Sequence, residues 1–122
     1  MPDVTLTRQA RLLRTLSHPG RLEILAVLGR SEACVCHLAA ALGRSQPYVS
    51  QQLAILRAAG LISSRRQGTF TYYWLRDFSV LGLVELADRL VGSSVATHTR
   101  AATLAECGCP ACRPVAEERH AR

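Results

Sequence analysis

The stretch that most constrains the fold is Leu38–Leu61, because it predicts two helices separated by a tight turn at Gly43. In the second helix, which begins near Ser45, apolar residues recur at the spacing of one helix face: Val49, Leu53 and Leu56. Polar side chains crowd its first two turns, where a DNA-recognition helix meets base edges: Ser45, Gln46, Ser50, Gln51 and Gln52. The stretch predicts either a helix-turn-helix or an αα-hairpin in an ordinary helical core whose polar residues are only solvated.

The charge of the chain favours a polyanionic partner. Its 122 residues are typical of one domain, and they carry a net charge of +6 with a pI of about 9.6. All 15 basic residues are Arg, whose guanidinium group makes bidentate contacts with phosphate and guanine. A coding bias that exchanges Lys for Arg would explain the missing Lys but not the excess of positive charge.

The sequence lacks the marks of a membrane or secreted protein. No apolar run approaches the roughly 18 residues that span a bilayer, and the N-terminal residues lack the apolar segment of a signal peptide. We therefore expect a cytoplasmic protein with no membrane partner. In that compartment cysteines bind metals or react more often than they form structural disulfides, so the 5 Cys indicate thiol chemistry.

Three helices are predicted in the first part of the chain, over residues 7–17, 19–29 and 31–42. Thr5 or Thr7 is the expected cap of the first helix. Ser31 is the expected cap of the third helix, with Glu32 in its first turn, where the helix dipole favours an anion.

A β-hairpin is predicted after the recognition helix. The strands Leu61–Arg66 and Thr69–Leu75 are rich in β-branched and aromatic residues, and they flank a turn at 67–68. Arg65 and Arg66 lie at the tip, where they could contact a neighbouring DNA groove. Helices followed by an arginine-tipped hairpin predict a mainly α chain with a β-hairpin, namely a winged helix-turn-helix.

The helix that follows Asp77 has an unusually wide apolar face. So wide a face is typical of burial on two sides, one against its own core and one against another subunit, so we expect a homodimer. A helix over residues 95–105 is expected to resume after the break at 92–94. The predicted organisation is a DNA-binding and dimerisation domain over residues 1–105 and a cysteine-containing tail over residues 106–122.

The five cysteines form two clusters, a C-x-C at Cys34 and Cys36 and a C-x-C-x-x-C at Cys107, Cys109 and Cys112. Residues two apart on an ideal helix point about 200° apart, so the first pair converges only if the chain is extended there or the first helical turn unwinds. Thiolates select soft ions, and two sulfurs are too few for a three- or four-coordinate site, which the tail could complete. The alternative for the first pair is two small buried hydrophobic residues.

Two segments resemble the ArsR–SmtB family of metal-sensing repressors: LSHPGRLEILAVL and SEACVCHLAAALGRSQPYVSQQLAILRAAGLISSRRQGTFTYYWL. The resemblance covers roughly Leu12–Leu75 without a gap. It implies a homodimeric winged-helix protein that binds operators of resistance operons and leaves DNA when a toxic ion binds. It also implies DNA-reading positions at Gln46, Pro47, Ser50 and Gln51, and sensing thiols of the arsenic, cadmium and lead type at Cys34 and Cys36.

The chain departs from the family pattern where the ion is concerned. Arsenite sensors often carry a third Cys where this chain has Ala39, and lead and cadmium sensors recruit Cys from an N-terminal arm that has none here. The zinc motif of the fifth helix is absent, since residues 88–90 lack its His. The tail cysteines are the expected replacement, and which of the three take part stays open.

The combined prediction is a homodimeric transcriptional repressor, not an enzyme, that releases double-stranded operator DNA when a thiophilic ion binds. The ion is arsenite or antimonite, or else cadmium or lead, and no organic cofactor is expected. The expected DNA contacts are Arg44, Ser45, Gln46, Pro47, Tyr48, Ser50, Gln51, Arg65 and Arg66. The expected ion ligands are Cys34, Cys36, Cys107, Cys109 and Cys112.

Three alternatives keep part of this prediction. Clustered thiols can form a reversible disulfide or polysulfide, which would make the chain a redox- or sulfide-responsive repressor. A small thiol reductase could use Cys109 and Cys112, although no strand–loop–helix context surrounds them. A DNA-binding structural protein would show no response to a ligand.

Overall fold

The protein is described here by a computed structural model over residues 3–92, which contain five helices and three strands. In chain order these elements are α1 Val4–Leu16, α2 Pro19–Leu28, β1 Ala33–Cys34, α3 Val35–Leu42, α4 Gln46–Ala58, β2 Ile62–Gln67, β3 Phe70–Leu75 and α5 Ser79–Val91. The strands form an antiparallel sheet in the order β1-β3-β2. This architecture confirms the predicted mainly α class with a β-hairpin. None of the helices within residues 3–92 is long and apolar enough to cross a membrane.

Part of the sequence prediction lies outside the described residues. This part includes the helix over 95–105, the domain boundary after residue 105 and the tail over 106–122. The three tail cysteines, Cys107, Cys109 and Cys112, belong to it as well.

Local sequence signals determine where α2 and α4 begin. His18 is extended before α2, and its Nδ1 accepts a hydrogen bond from the Gly20 amide at 3.1 Å. Ser45 has the same role before α4, where its Oγ accepts a hydrogen bond from the Tyr48 amide at 3.3 Å. Gly43 ends α3 with a φ of 65°, a left-handed conformation that a residue without Cβ adopts readily. The turn between α3 and α4 is therefore defined at both ends.

The core lies between the helices and the inner face of the hairpin. The three apolar residues predicted for the inner face of α4 are 0% exposed: Val49, Leu53 and Leu56. They pack in one cluster with buried residues of the other elements, including Ile24, Leu25, Leu38, Ile62 and Leu75. Burying one such side chain contributes about 2 kcal/mol. This cluster confirms the predicted core face of α4 and turns its polar face outward.

The hairpin turn lies one residue later than the sequence predicts. Gln67 still pairs with Phe70, so the two-residue turn consists of Gly68 and Thr69. Gly68 has a φ of 64°, and two-residue hairpin turns require positive φ at their first central residue. The prediction of a turn at 67–68 is therefore wrong by one position, because the glycine comes first in the turn.

The two faces of the hairpin have different neighbours, because side chains alternate along a strand. Ile62 and Leu75, which are paired across β2 and β3, belong to the helical core. Tyr72 belongs to the opposite face, where it forms a second buried cluster with Cys34. The outer face of the hairpin formed by β2 and β3, which we call the wing, therefore packs against Cys34.

The start of α3 differs from the prediction. Residues 33–34 form β1, which pairs with β3, so α3 begins at Val35 instead of following a cap at Ser31. Residues 33–34 use their backbone N–H and C=O groups to pair with β3, so these groups cannot form the hydrogen bonds of a longer helix. Glu32 therefore precedes the strand and does not lie in the first helical turn.

Aspartates rather than threonines stabilise the starts of α1 and α5. The Asp3 carboxylate accepts a hydrogen bond from the Thr5 amide at 2.9 Å, so α1 begins at Val4, earlier than predicted. The predicted threonine caps of α1 are therefore wrong. The Asp77 carboxylate accepts a hydrogen bond from the Ser79 amide at 2.8 Å, although Phe78 occupies the N-cap position of α5.

Candidate DNA-binding surface and thiol site

The outward side of α4 and the loop before it carry most of the residues predicted to contact DNA. Six of them are exposed: Arg44, Ser45, Gln46, Pro47, Ser50 and Gln51. Amide and hydroxyl side chains of this kind can bond to base edges or phosphates. Residues 44–58 contain no acidic side chain that would repel a phosphate. Because the opposite face is buried, these groups project from a helix whose orientation is fixed.

Tyr48 differs from the other α4 residues that were predicted to contact DNA, because it is half-buried and packs against the core. The Arg44 guanidinium lies 5.2 Å from the centre of its ring, and the ring centres of Tyr48 and His18 are 6.4 Å apart. A side chain at Gly20 would collide with the Tyr48 hydroxyl. Tyr48 is therefore held by its neighbours and supports Arg44 through a cation–π contact.

Gln52 is not available to read bases, contrary to the sequence interpretation of the polar cluster in α4. It is only 6% exposed, and its Oε1 accepts a hydrogen bond from Arg21 Nε at 2.9 Å. Arg21 also donates from Nη1 to the Thr15 carbonyl at 3.0 Å. Because a buried amide needs a partner, this network joins α1, α2 and α4 instead of facing DNA.

The two wing arginines have different environments. Arg65 Nη2 lies 2.8 Å from Glu32 Oε1, and the Arg65 guanidinium lies 5.8 Å from the centres of the Tyr72 and Trp74 rings. Arg66 is one position along, on the other face of the hairpin, where its Nε donates to the Gly68 carbonyl at 3.3 Å. Both side chains are exposed, but only Arg65 is engaged by an acid. Since exposed ion pairs are weak, a phosphate could displace Glu32 at little cost.

The thiols of Cys34 and Cys36 converge at the start of α3. Their Sγ atoms lie 3.1 Å apart. Convergence is possible because Cys34 has extended backbone (φ −90°, ψ 171°) and stands at the N-cap, while Cys36 lies in the first turn. This is the extended geometry that the C-x-C spacing requires on sequence grounds. Cys34 is 2% exposed and Cys36 is half-buried.

The thiol pair lies beside His37 and the aromatic side chains of the wing. Tyr72 and Phe70 pack against the two cysteines. Burial lowers the pKa of His37, which favours the neutral imidazole. Within residues 3–92, no group of three or more His, Cys, Asp or Glu side chains is arranged to hold a metal ion. A soft ion with three or four ligands would therefore need donors beyond this pair.

Several of these relations were missed by sequence reasoning. The Glu32–Arg65 ion pair joins residues 33 apart in the chain, and no local pattern signals it. Tyr72 was assigned to a strand but not to the thiol pair. Arg57 and Tyr73 line the same groove between α4 and β3 as Ser50, and neither residue is among those predicted from the sequence to contact DNA. Arg57 lies within the second segment that carries the family resemblance, and this position could have suggested it as a DNA contact.

Comparison with known proteins assigns the family. A sequence profile described as "Bacterial regulatory protein, arsR family" matches residues 18–64. The biofilm growth-associated repressor of Agrobacterium fabrum is 40% identical over 79 residues, which are 65% of this chain and 68% of that protein. This chain belongs to the ArsR–SmtB family. The resemblance inferred from the sequence is thereby confirmed.

Other relatives in the ArsR–SmtB family are also repressors. The transcriptional repressor SmtB homolog of Synechocystis is 44% identical over 84 residues, or 68% of this chain and 64% of that protein. The arsenical resistance operon repressor of Escherichia coli is 42% identical over 66 residues, or 53% of this chain and 56% of that protein. The matched segment thus spans less than two thirds of these two relatives. Because the family consists of DNA-binding regulators, the prediction that the chain is not an enzyme is confirmed.

Solved structures confirm the winged helix-turn-helix fold. The transcriptional repressor BigR of Xylella fastidiosa aligns with a TM-score of 0.66 and 34% identity, covering 73% of this chain and 91% of that one. A homodimeric winged helix-turn-helix DNA-binding domain of Mycobacterium bovis aligns with a TM-score of 0.65 and 30% identity, covering 80% of this chain and 91% of that one. The ArsR–SmtB chain described here therefore has the fold of DNA-binding regulators.

Proposed function

We propose that this ArsR–SmtB protein is a cytoplasmic homodimeric repressor that releases double-stranded operator DNA when a thiophilic ion binds Cys34 and Cys36. The observation that carries the proposal is the 3.1 Å approach of the two sulfurs at a helix start that contacts the wing. Arsenite or antimonite is the first choice of ion, and cadmium or lead the second. The name of the arsenical repressor of Escherichia coli is consistent with that order.

The pair is a partial site for a soft ion. Two sulfurs bound to one tetrahedral metal ion at about 2.3 Å each lie roughly 3.8 Å apart, so the pair would have to open only slightly. Thiolates favour soft ions over hard ones. The missing ligands would come from Cys107, Cys109 or Cys112, in the same chain or in the partner. Three thiols suffice for arsenite, and all five would serve a larger ion.

A physical route leads from the thiols to the DNA-binding surface. Cys34 lies in β1 and pairs with Tyr72 in β3, and the Tyr72 ring in turn lies 5.8 Å from the Arg65 guanidinium. Separating the sulfurs would move β1 and, through β3, the wing. It would also distort the start of α3, which leads through Gly43 into α4. Both movements change the spacing between the two elements proposed to contact DNA.

Exposed apolar side chains support the homodimer. Large hydrophobic residues of α1 and α5 and of the segment before α5 are more than half exposed: Val4, Leu6, Leu13, Phe78, Leu86, Leu90 and Val91. Leu90 is 88% exposed. So many exposed large apolar side chains are unusual in a monomeric protein and are typical of an interaction surface. The Mycobacterium bovis domain, which has the same fold, is homodimeric. We therefore propose that α1 and α5 form the dimer contact.

An anaerobic titration of the reduced protein bound to its own promoter DNA tests the proposal. Arsenite, cadmium, lead and zinc would be added in turn while fluorescence anisotropy reports the bound DNA. We expect release by one soft ion and recovery with excess dithiol. Binding that survives every soft ion would contradict the sensing mechanism, and absence of DNA binding would contradict the repressor function.

The approach of the two sulfurs also favours a second function, a redox switch. Oxidation by a peroxide would join the two sulfurs at about 2.05 Å, with two electrons passing to the peroxide and both thiol protons leaving. The same titration distinguishes the two functions. Release by peroxide alone, reversed by dithiol, would assign a redox switch instead of an ion sensor.

A further inference from the structure

A groove runs between the outward face of α4 and the wing. It has a volume of about 450 Å³ and is lined by Ser50, Ala54, Arg57, Ala58 and Tyr73. The four α4 residues are spaced at i, i+4, i+7 and i+8, so they form one stripe along the helix. That stripe is rotated by roughly 120° around the helix from the apolar face that is buried in the core.

The groove has a shallow floor and a fixed wall. Its floor consists of Ala54 and Ala58, whose short side chains let a backbone approach the helix closely. Its wall is Tyr73, which stands in the central strand β3 between Ala33 of β1 and Ser64 of β2. Because both edges of β3 are paired there, the position of Tyr73 relative to α4 is well defined.

The polar groups in this groove are available for an external anion. Arg57 is exposed, and within residues 3–92 neither its guanidinium nor the Tyr73 hydroxyl makes a hydrogen bond or ion pair. The groove has no acidic lining residue. Ser50, about 10 Å along the helix from Arg57 by the rise of an α-helix, adds a third donor on the same stripe.

We propose that Arg57 and Tyr73 bind the phosphate backbone of the DNA strand that passes between α4 and the wing. A helix in the major groove and a wing beside it enclose one strand of the duplex, and this groove is the space between those two elements. Arginine guanidinium and tyrosine hydroxyl groups are regular phosphate donors. The assignment rests on the DNA-binding part of the proposed function and is independent of ion sensing.

The phosphate contacts proposed for the two residues predict how DNA affinity depends on DNA sequence and on salt concentration. Contacts to phosphate hold a protein in register on DNA but carry no sequence information. Arg57 and Tyr73 should therefore contribute equally to binding of operator DNA and of scrambled DNA. Each neutralised phosphate contributes about 0.9 to the slope of log K against log salt concentration.

The test uses Arg57→Gln and Tyr73→Phe in the full chain, with Arg30→Gln as the matched control. Arg30 is exposed in the turn after α2, carries the same charge and does not line the groove. Anisotropy with operator and scrambled DNA would be measured over a range of salt concentrations. For Arg57→Gln we expect a salt slope smaller by about 0.9 and an unchanged ratio of operator to scrambled affinity. For Tyr73→Phe we expect about tenfold weaker binding to both DNAs.

Several results would overturn the assignment. A slope for Arg57→Gln equal to that of Arg30→Gln would exclude the phosphate contact. A selective loss of operator affinity would mean that Arg57 reads bases. Thermal melting of each variant separates these effects from unfolding, and Arg57→Lys should recover the slope if the charge is what matters. If the wild-type protein does not bind its promoter, the proposed function itself fails, and this assignment fails with it.

Discussion

The N-termini of α3 and α4 differ in how they are held, although only a few residues separate the two helices. Ser45 caps α4 through its side chain and is exposed, whereas Cys34 occupies the same position in α3, is buried and makes no side-chain capping hydrogen bond. The start of α4 is therefore suited to presenting side chains at constant geometry. The start of α3 depends on strand pairing and thiol contacts, so chemistry at sulfur can alter it without breaking a side-chain cap.

The largest effect is expected in the core under α4. Leu53→Ala should lower the free energy of unfolding by about 2–5 kcal/mol, because the leucine has no exposure and the cavity would lie in the centre of the cluster. Urea unfolding measures the change. Ile55→Ala is the matched control, since Ile55 lies on the same helix but is only half-buried. Equal losses in the two variants would contradict a single buried face.

The capping difference predicts a smaller effect. Ser45→Ala should cost about 1 kcal/mol of stability, because the Tyr48 amide loses its acceptor. Ser31→Ala is the control: Ser31 was predicted to cap α3, but α3 begins at Val35. The melting temperature of Ser31→Ala should equal that of the wild type. A loss in Ser31→Ala as large as that in Ser45→Ala would mean that both helices depend on side-chain caps.

The Glu32–Arg65 ion pair predicts an effect on DNA rather than on stability. Glu32→Gln should change the free energy of unfolding by less than about 0.5 kcal/mol, because both side chains are substantially exposed. It should strengthen DNA binding and steepen the salt dependence by about one phosphate contact, since Arg65 is released. Glu23→Gln on α2 controls for the change in net charge. Equal gains in the two variants would show that Arg65 does not reach DNA.

The smallest effect concerns the start of α5. The hydrogen bond from the Ser79 amide lowers the pKa of the Asp77 carboxyl. Because the charged form is favoured in the folded state, Asp77 adds stability above the ordinary aspartate pKa and loses this contribution as the pH falls through its lowered value. Asp77→Asn should remove that part of the pH dependence. Melting curves that keep the wild-type pH dependence would contradict it.

The sequence predicted those features that depend on local patterns. The apolar spacing of 49, 53 and 56 located the inner face of α4, and the glycine at 43 located the end of α3. Two of the failures occurred where distant segments meet. Pairing between residues 33–34 and β3 shortened α3, and the bond from Arg21 drew Gln52 into the interior. Neither partner lies close enough in the chain to leave a periodic signal.

The thiol site was predicted only in part from the sequence. The C-x-C spacing established that Cys34 and Cys36 converge only on an extended backbone, but it did not indicate that β3 would supply that extension. The roles proposed for Cys107, Cys109 and Cys112 remain predictions from sequence, because these residues lie outside the described part of the chain.

The most direct measurement is the release of promoter DNA by the active soft ion from a Cys34→Ser/Cys36→Ser double variant under anaerobic conditions. A second variant, which replaces Cys107, Cys109 and Cys112 by Ser and leaves the pair at α3 intact, tests whether the tail completes the site. We expect the double variant to bind DNA as the wild type does and to keep it bound at every ion concentration. Release of DNA from the double variant at the wild-type ion concentration would contradict a sensing site at the start of α3.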